Sequence, residues 1–208
     1  MRKSALLVIF LTVFIDLLGF GMVLPLLPLY GKQLAGSMTE MQIGVVIGLL
    51  MASYSIMQLF FAPIWGRLSD RVGRRPIIMV GLTGSIIFYA MFGLAAQQQS
   101  LVLLFVSRIG AGIFGATITT ARAYIADVTP PERRASGMAI IGAAFGLGFT
   151  FGPLFGLLAL PEGDQAMSPW PGYAAAMLSA VALLLAIFRL PESLKPDSRA
   201  AKSRVIDI

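Results

Sequence analysis

What most limits the fold of this chain is the length of its uncharged stretches. Residues 42–64 and 76–96 contain no charged side chain, and each can cross a bilayer core of about 30 Å, which takes about 20 residues of α-helix. Four further apolar runs of similar length lie at 5–30, 101–125, 137–160 and 171–188. In hydrocarbon a single segment satisfies its backbone hydrogen bonds only as a helix. The pattern therefore predicts an all-α membrane protein with six transmembrane helices. Composition agrees, because 12% of the residues are charged against about 25% in soluble domains.

Charge placement supplies the topology. All Lys and Arg except Lys32 and Arg108 fall at helix ends that alternate onto one side: Arg2, Lys3, the 66–75 segment, Arg122, Arg133, Arg134 and the tail from Arg189. The positive-inside rule then places both termini in the cytoplasm. Trp65 on the inner side, with Tyr30 and Trp170 on the outer, fits an aromatic belt. The net charge of +6 resides in these helix ends and not on a basic stripe of a soluble domain, so no nucleic-acid partner is expected. The first run is 26 residues long, carries Asp16 and lacks a small-residue cleavage site. It reads as a retained helix and not as a signal peptide. Residues 1–190 form the membrane domain in this reading, and 191–208 a polar cytoplasmic tail.

Apart from Arg122, close to the inner end of its run, two charges lie inside the apolar runs. Asp16 is about 16 Å deep, near the middle of the core, and Arg108 about 10 Å below the opposite edge, at 1.5 Å per residue. An embedded ionisable group marks a pathway or a partner by default. Asp16 is read as a proton-coupling group or as a neutral structural acid, and pairing with Arg108 is geometrically open. Tyr54 and Gln58, four residues apart, either line a cavity or bond to a neighbouring helix. Arg108, Gly112, Gly115, Thr119 and Arg122 define a small or polar face. Pro25 and Pro28 should bend the first helix. The pairs Gly44/Gly48 and Gly81/Gly84, and the stripe Gly148, Gly152 and Gly156 beside Pro153, are expected at close helix contacts.

The densest charge cluster is Gly66-Arg67-Leu68-Ser69-Asp70-Arg71-Val72-Gly73-Arg74-Arg75, read as a short loop between the second and third helices. Asp70 and Arg74 can pair at i,i+4, with Arg71 sharing the carboxylate. Gly66 would permit close packing and Gly73 the positive φ of a tight reversal. Lipid anchoring explains the arginines of this segment but not its glycines and aspartate.

These ten residues resemble the G-x-L-[AS]-D-[RK]-x-G-R-[RK] pattern of the major facilitator superfamily, matching every specified position. Arg108-x-x-x-Gly112, the Ala-Tyr-Ile-Ala-Asp segment ending at Asp127, and Gly148 to Gly156 resemble its proton-coupled drug antiporters, especially the tetracycline-efflux branch. Leu157 stands where the antiporter pattern has its last glycine, and Phe88 where tetracycline pumps carry an acid before a tyrosine. The resemblance implies the N-terminal six-helix half of a secondary active transporter in a bacterial inner membrane. It implies proton-coupled export of a drug-like molecule such as tetracycline, with a second half supplied by a missing C-terminal part, a separate chain or a second copy. It also implies a conformational latch of Gly66, Asp70, Arg71, Gly73 and Arg74, with Asp127 pairing to its arginines. The alternative is a non-transporting or truncated subunit that pairs with another transporter. No nucleophile–base pair, metal-ligand cluster or phosphate loop is present in the sequence, so neither enzyme activity nor a metal or other cofactor is expected.

Overall fold

Six membrane-length helical spans form in the computed structural model, whose described residues are 3–36, 38–158 and 167–194. They run Ala5–Leu34, Glu40–Val72, Arg74–Gln97, Leu101–Val128, Pro131–Leu158 and Trp170–Arg189. Each predicted run is recovered, and several helices continue past their apolar stretch. The residues between the fifth and sixth runs, Glu162 and Asp164 among them, and most of the expected polar tail lie outside the described residues.

Two spans are broken. The first comprises α1 (Lys3–Val23) and α2 (Leu26–Leu34). Pro25 stands at the break because it has no N–H to give to the carbonyl four residues back. Pro28 sits in the first turn of α2, where a missing N–H costs nothing. The fourth span, expected as one helix, is α5 (Leu101–Ile113) followed by α6 (Ala116–Val128). Gly110, Gly112 and Gly115 weaken it by up to about 1 kcal/mol each relative to alanine, and α3 (Glu40–Val72) provides partners for the opened backbone. Trp65 Nε1 donates to the Ile113 carbonyl at 2.6 Å, and Gln58 Nε2 to that of Gly115 at 3.4 Å. The Phe114 ring lies between Trp65 and Phe88, at centroid distances of 5.8 and 5.7 Å. Gly84 leaves it room, since a Cβ there would strike the ring.

α3 starts in a capping box, with Thr39 Oγ1 accepting from the Gln42 amide and Gln42 Oε1 from the Thr39 amide. It then runs 33 residues, roughly 50 Å at 1.5 Å per residue, well beyond the ~30 Å core. The expected 66–75 loop is therefore corrected. Gly66 to Val72 are helical, and only Gly73, at φ 125°, separates α3 from α4 (Arg74–Gln97). Asp70 does meet Arg74, but across this break, from the last turns of α3 to the first residue of α4.

α7 (Arg134–Leu158) and α8 (Trp170–Arg189) enclose α1. Gly148, Gly152 and Gly156 of α7 meet the backbone of α1 at Leu17, Gly21 and Met22, as the stripe predicted. Gly81 likewise faces Thr117 closely. Gly44 and Gly48 are a correction: a Cβ at either would meet nothing within 4 Å. They sit on α3, of whose most apolar stretch 6% is buried, against 56% for the first span. α3 lies at the edge of the bundle with those glycines turned outward. The buried apolar residues form two cores, one around Ile78, Tyr124 and Ile141 near the arginine-rich end, the other around Leu27, Phe92 and Leu104 toward the opposite end.

Candidate functional site

Between the two cores lies a polar layer. Asp16 reaches it from α1, Tyr54 and Gln58 from α3, Ser85 and Tyr89 from α4, and Thr117 from α6, and together they line a cavity of about 170 Å³. That volume holds several waters, each with about 30 Å³ in the liquid, but falls below the roughly 300–1,000 Å³ of drug-sized sites. A second cavity of about 640 Å³ adjoins it, sharing Gln58, Ile118 and Phe145, and continues past Thr119 to Arg122 and Gly66. Asp16 thus lies at the narrow inner end of a space that widens toward the arginine-rich end of the bundle.

Asp16 is buried, with 9% of its surface exposed. Ser179 of α8 donates to its Oδ1 at 3.3 Å, and Ser85 lines the same cavity. Gln58 Nε2 donates to Tyr54 Oη at 3.2 Å. The open choice for this pair resolves to both, because Gln58 also bonds the carbonyl of Gly115 across to the fourth span.

Arg108 is fully buried and, among the described residues, has no hydrogen-bond partner on any guanidinium nitrogen. Snorkelling to the surface is therefore excluded. Its carbon lies 5.3 Å from the Phe92 ring centroid and 6.0 Å from that of Tyr89, within cation–π range. It does not pair with Asp16. Ser179 bonds the acid, aromatic rings hold the cation, and Tyr89 joins the two environments by lining the cavity while lying under the guanidinium.

At the arginine-rich end, Arg74 is 5% exposed and engages three side chains. Its Nη2 meets Asp70 Oδ1 at 2.5 Å, Nη1 donates to Ser69 Oγ at 2.5 Å, and Nε meets Asp127 Oδ2 at 3.0 Å. One guanidinium therefore fastens α3, α4 and α6 together, with the fork geometry a lysine lacks. The expected pairs Asp70–Arg74 and Asp127–Arg74 are both present. Arg71 is exposed and stands outside this cluster, because neighbouring residues on a continuous helix do not face each other. Gly66 lines the wide cavity, and a Cβ there would meet nothing within 4 Å, so it makes no close packing contact within this chain. Pro153 lies within α7 beside the buried glycine stripe.

The segment after α8 folds back onto this cluster. Glu192 accepts from the backbone amides of Arg74 at 2.9 Å and Arg75 at 3.2 Å. Ser193 Oγ donates to Asp127 Oδ2 at 3.2 Å, and Arg75 Nη2 donates to the Ile187 carbonyl at 2.6 Å. Sequence reasoning gave no role to Glu192, Ser193, Ser179, Ser85 or Thr117. Small hydroxyls within otherwise apolar helices are the signal that could have singled out the last three.

A six-helix membrane bundle with a central polar cavity and an arginine-fastened end is the kind of repeat from which secondary transporters are built in pairs. The Major Facilitator Superfamily model matches residues 9–206, and the chain belongs to that superfamily. It is 40% identical over 205 residues to the class C tetracycline resistance protein of Escherichia coli, covering 99% of this chain and 49% of that protein. It is 35% identical over 224 residues to major facilitator superfamily domain-containing protein 10 of Mus musculus, covering 96% and 47%. The crystal structure of the human organic anion transporter MFSD10 superposes with a TM-score of 0.76 at 33% identity, over 95% of this chain and 49% of that one. A D-xylose–proton symporter superposes at 0.79 with 17% identity, a likeness of fold alone. The chain spans about half the length of the relatives it matches.

Proposed function

We propose that this chain forms one half of a proton-coupled secondary transporter that exports an amphipathic, drug-like molecule, tetracycline among the candidates, across a bacterial inner membrane. The observation that carries the reading is Asp16, a buried carboxyl at the narrow end of a cavity that widens through Gln58 and Phe145. In a chain without histidine, a carboxylate is the side chain left to take up and release a proton near neutral pH. The resemblance to tetracycline resistance proteins supports both the substrate class and the direction. In this reading Asp70, Arg74 and Asp127 hold one conformation at the cytoplasmic face, and Gly148, Gly152, Pro153 and Gly156 set how closely α7 approaches α1.

Such a transporter binds substrate between two six-helix halves, so a second half is part of the proposal. The exposed face of α3 is consistent with such a contact. The same face also fits the alternative, a subunit that modulates another transporter without carrying substrate. Co-reconstitution with a second half into liposomes bearing an imposed pH gradient tests both readings. Gradient-dependent tetracycline movement supports the first. A correctly folded assembly that moves no tetracycline or other amphipathic drug, yet alters a partner's transport, supports the second.

A further inference from the structure

The first turn of α4 cannot cap itself. Helix N-termini leave their first backbone N–H groups without intrahelical partners, and the residue at the N-cap is Gly73, which has no side chain to offer. The Gly73 amide bonds back to the Ser69 carbonyl at 3.2 Å, and Pro76 has no N–H at all. The remaining donors are the amides of Arg74 and Arg75. Both are taken by the carboxylate of Glu192, one oxygen each, from a segment 118 and 117 residues away in sequence. A carboxylate at this position also faces the positive end of the helix dipole. The capping is reciprocal, because Arg75 Nη2 bonds the Ile187 carbonyl in the last turn of α8.

The same arginine whose backbone Glu192 holds is the one whose side chain binds Asp70, Ser69 and Asp127. Ser193, the next residue, shares the Asp127 oxygen that Arg74 uses. We infer that Glu192 is a positioning residue for Arg74, and that the segment following α8 is therefore a working part of the arginine-centred cluster and not merely the beginning of a linker. Its effect on transport rests on the proposed latch role of that cluster; its effect on Arg74 does not. The contact also joins the cluster to the sixth span, whose Ser179 bonds Asp16.

Glu192→Gln keeps the side-chain size but replaces one acceptor with an amide that cannot accept from N–H. In the full chain, amide exchange in the peptide covering the start of α4 should quicken roughly tenfold, the worth of about one lost hydrogen bond, with exchange in α1 and α7 unchanged. Unchanged exchange at α4 would overturn the cap. A cycle of thermal unfolding with Asp127→Asn separates positioning from simple capping. If Glu192 acts through Arg74, the double variant should lose no more than the larger single shift, whereas additive shifts would overturn the positioning role. Should Glu192→Gln not fold, Glu192→Asp, which keeps the charge but shortens the reach, carries the same two measurements. In the transporting assembly the variant should lower kcat severalfold at constant KM. An unchanged kcat alongside a non-additive cycle would count against the latch reading while leaving the Glu192–Arg74 contact standing.

Discussion

Gly21 of α1 and Gly152 of α7 meet backbone to backbone: a Cβ built on Gly152 would lie 2.6 Å from the Gly21 Cα. In a bilayer, where apolar burial does not drive helices together, such close van der Waals contact is a main source of cohesion. The glycine stripe of the fifth span therefore faces inward within one chain and is not a dimerisation surface.

Enlarging that contact should separate the two helices. Gly152→Val forces an overpacking cost of about 1–3 kcal/mol, and the thermal unfolding midpoint of the purified chain should fall by several degrees. Gly44→Val, on the open face of α3, should leave the midpoint within error in the isolated chain. Equal loss from both substitutions would contradict the packing described.

Topology can be read by accessibility. Cysteines introduced singly at Ser4, Lys32, Gln98, Arg134, Asp164 and Lys202 should react with an impermeant maleimide from outside only at 32, 98 and 164. External labelling at 4 or 202 would reverse the orientation derived from the Lys and Arg distribution.

The arginine cluster should control conformational exchange more than affinity. Arg74→Lys retains the charge but not the fork that reaches Ser69, Asp70 and Asp127 together. In the transporting assembly, Arg74→Lys and Asp70→Asn should each reduce turnover at least several-fold with KM nearly constant. A large rise in KM at normal turnover would place these residues in substrate binding instead.

The six spans were legible because hydrocarbon admits few alternatives, and the Asp70–Arg74–Asp127 cluster because its spacing follows a motif. The helix boundaries were less so. Apolarity stops near Trp65, whereas the helix stops when Gly73 adopts a positive φ, and Thr39 with Gln42 marked the start of α3 more accurately than hydropathy did. The break at Phe114 was hidden because it depends on Trp65, Gln58 and Gly84, which only the fold brings beside it. Depth counting put Asp16 and Arg108 at similar levels but gave no rotation about the helix axes. That is why it left open a pairing that Ser179 and the aromatic rings have taken over.

Asp16 is the only acidic residue within the apolar part of the six spans. A carboxyl there is costly unless it has partners, roughly 2.5–3.5 kcal/mol on insertion scales, and Ser179 bonds it without neutralising it. Asparagine keeps the shape and still accepts from Ser179, but it carries no transferable proton. Asp16→Asn should therefore preserve folding and substrate binding while abolishing the dependence of transport on an imposed pH gradient. Ser179→Ala removes one partner but leaves the carboxyl in place, so it should alter the rate and retain the gradient dependence. The measurement is substrate flux in liposomes at a series of gradients, with binding followed separately by fluorescence. If Asp16→Asn still responds normally to the gradient, proton coupling resides in the second half and Asp16 is a structural acid of the α1–α8 contact.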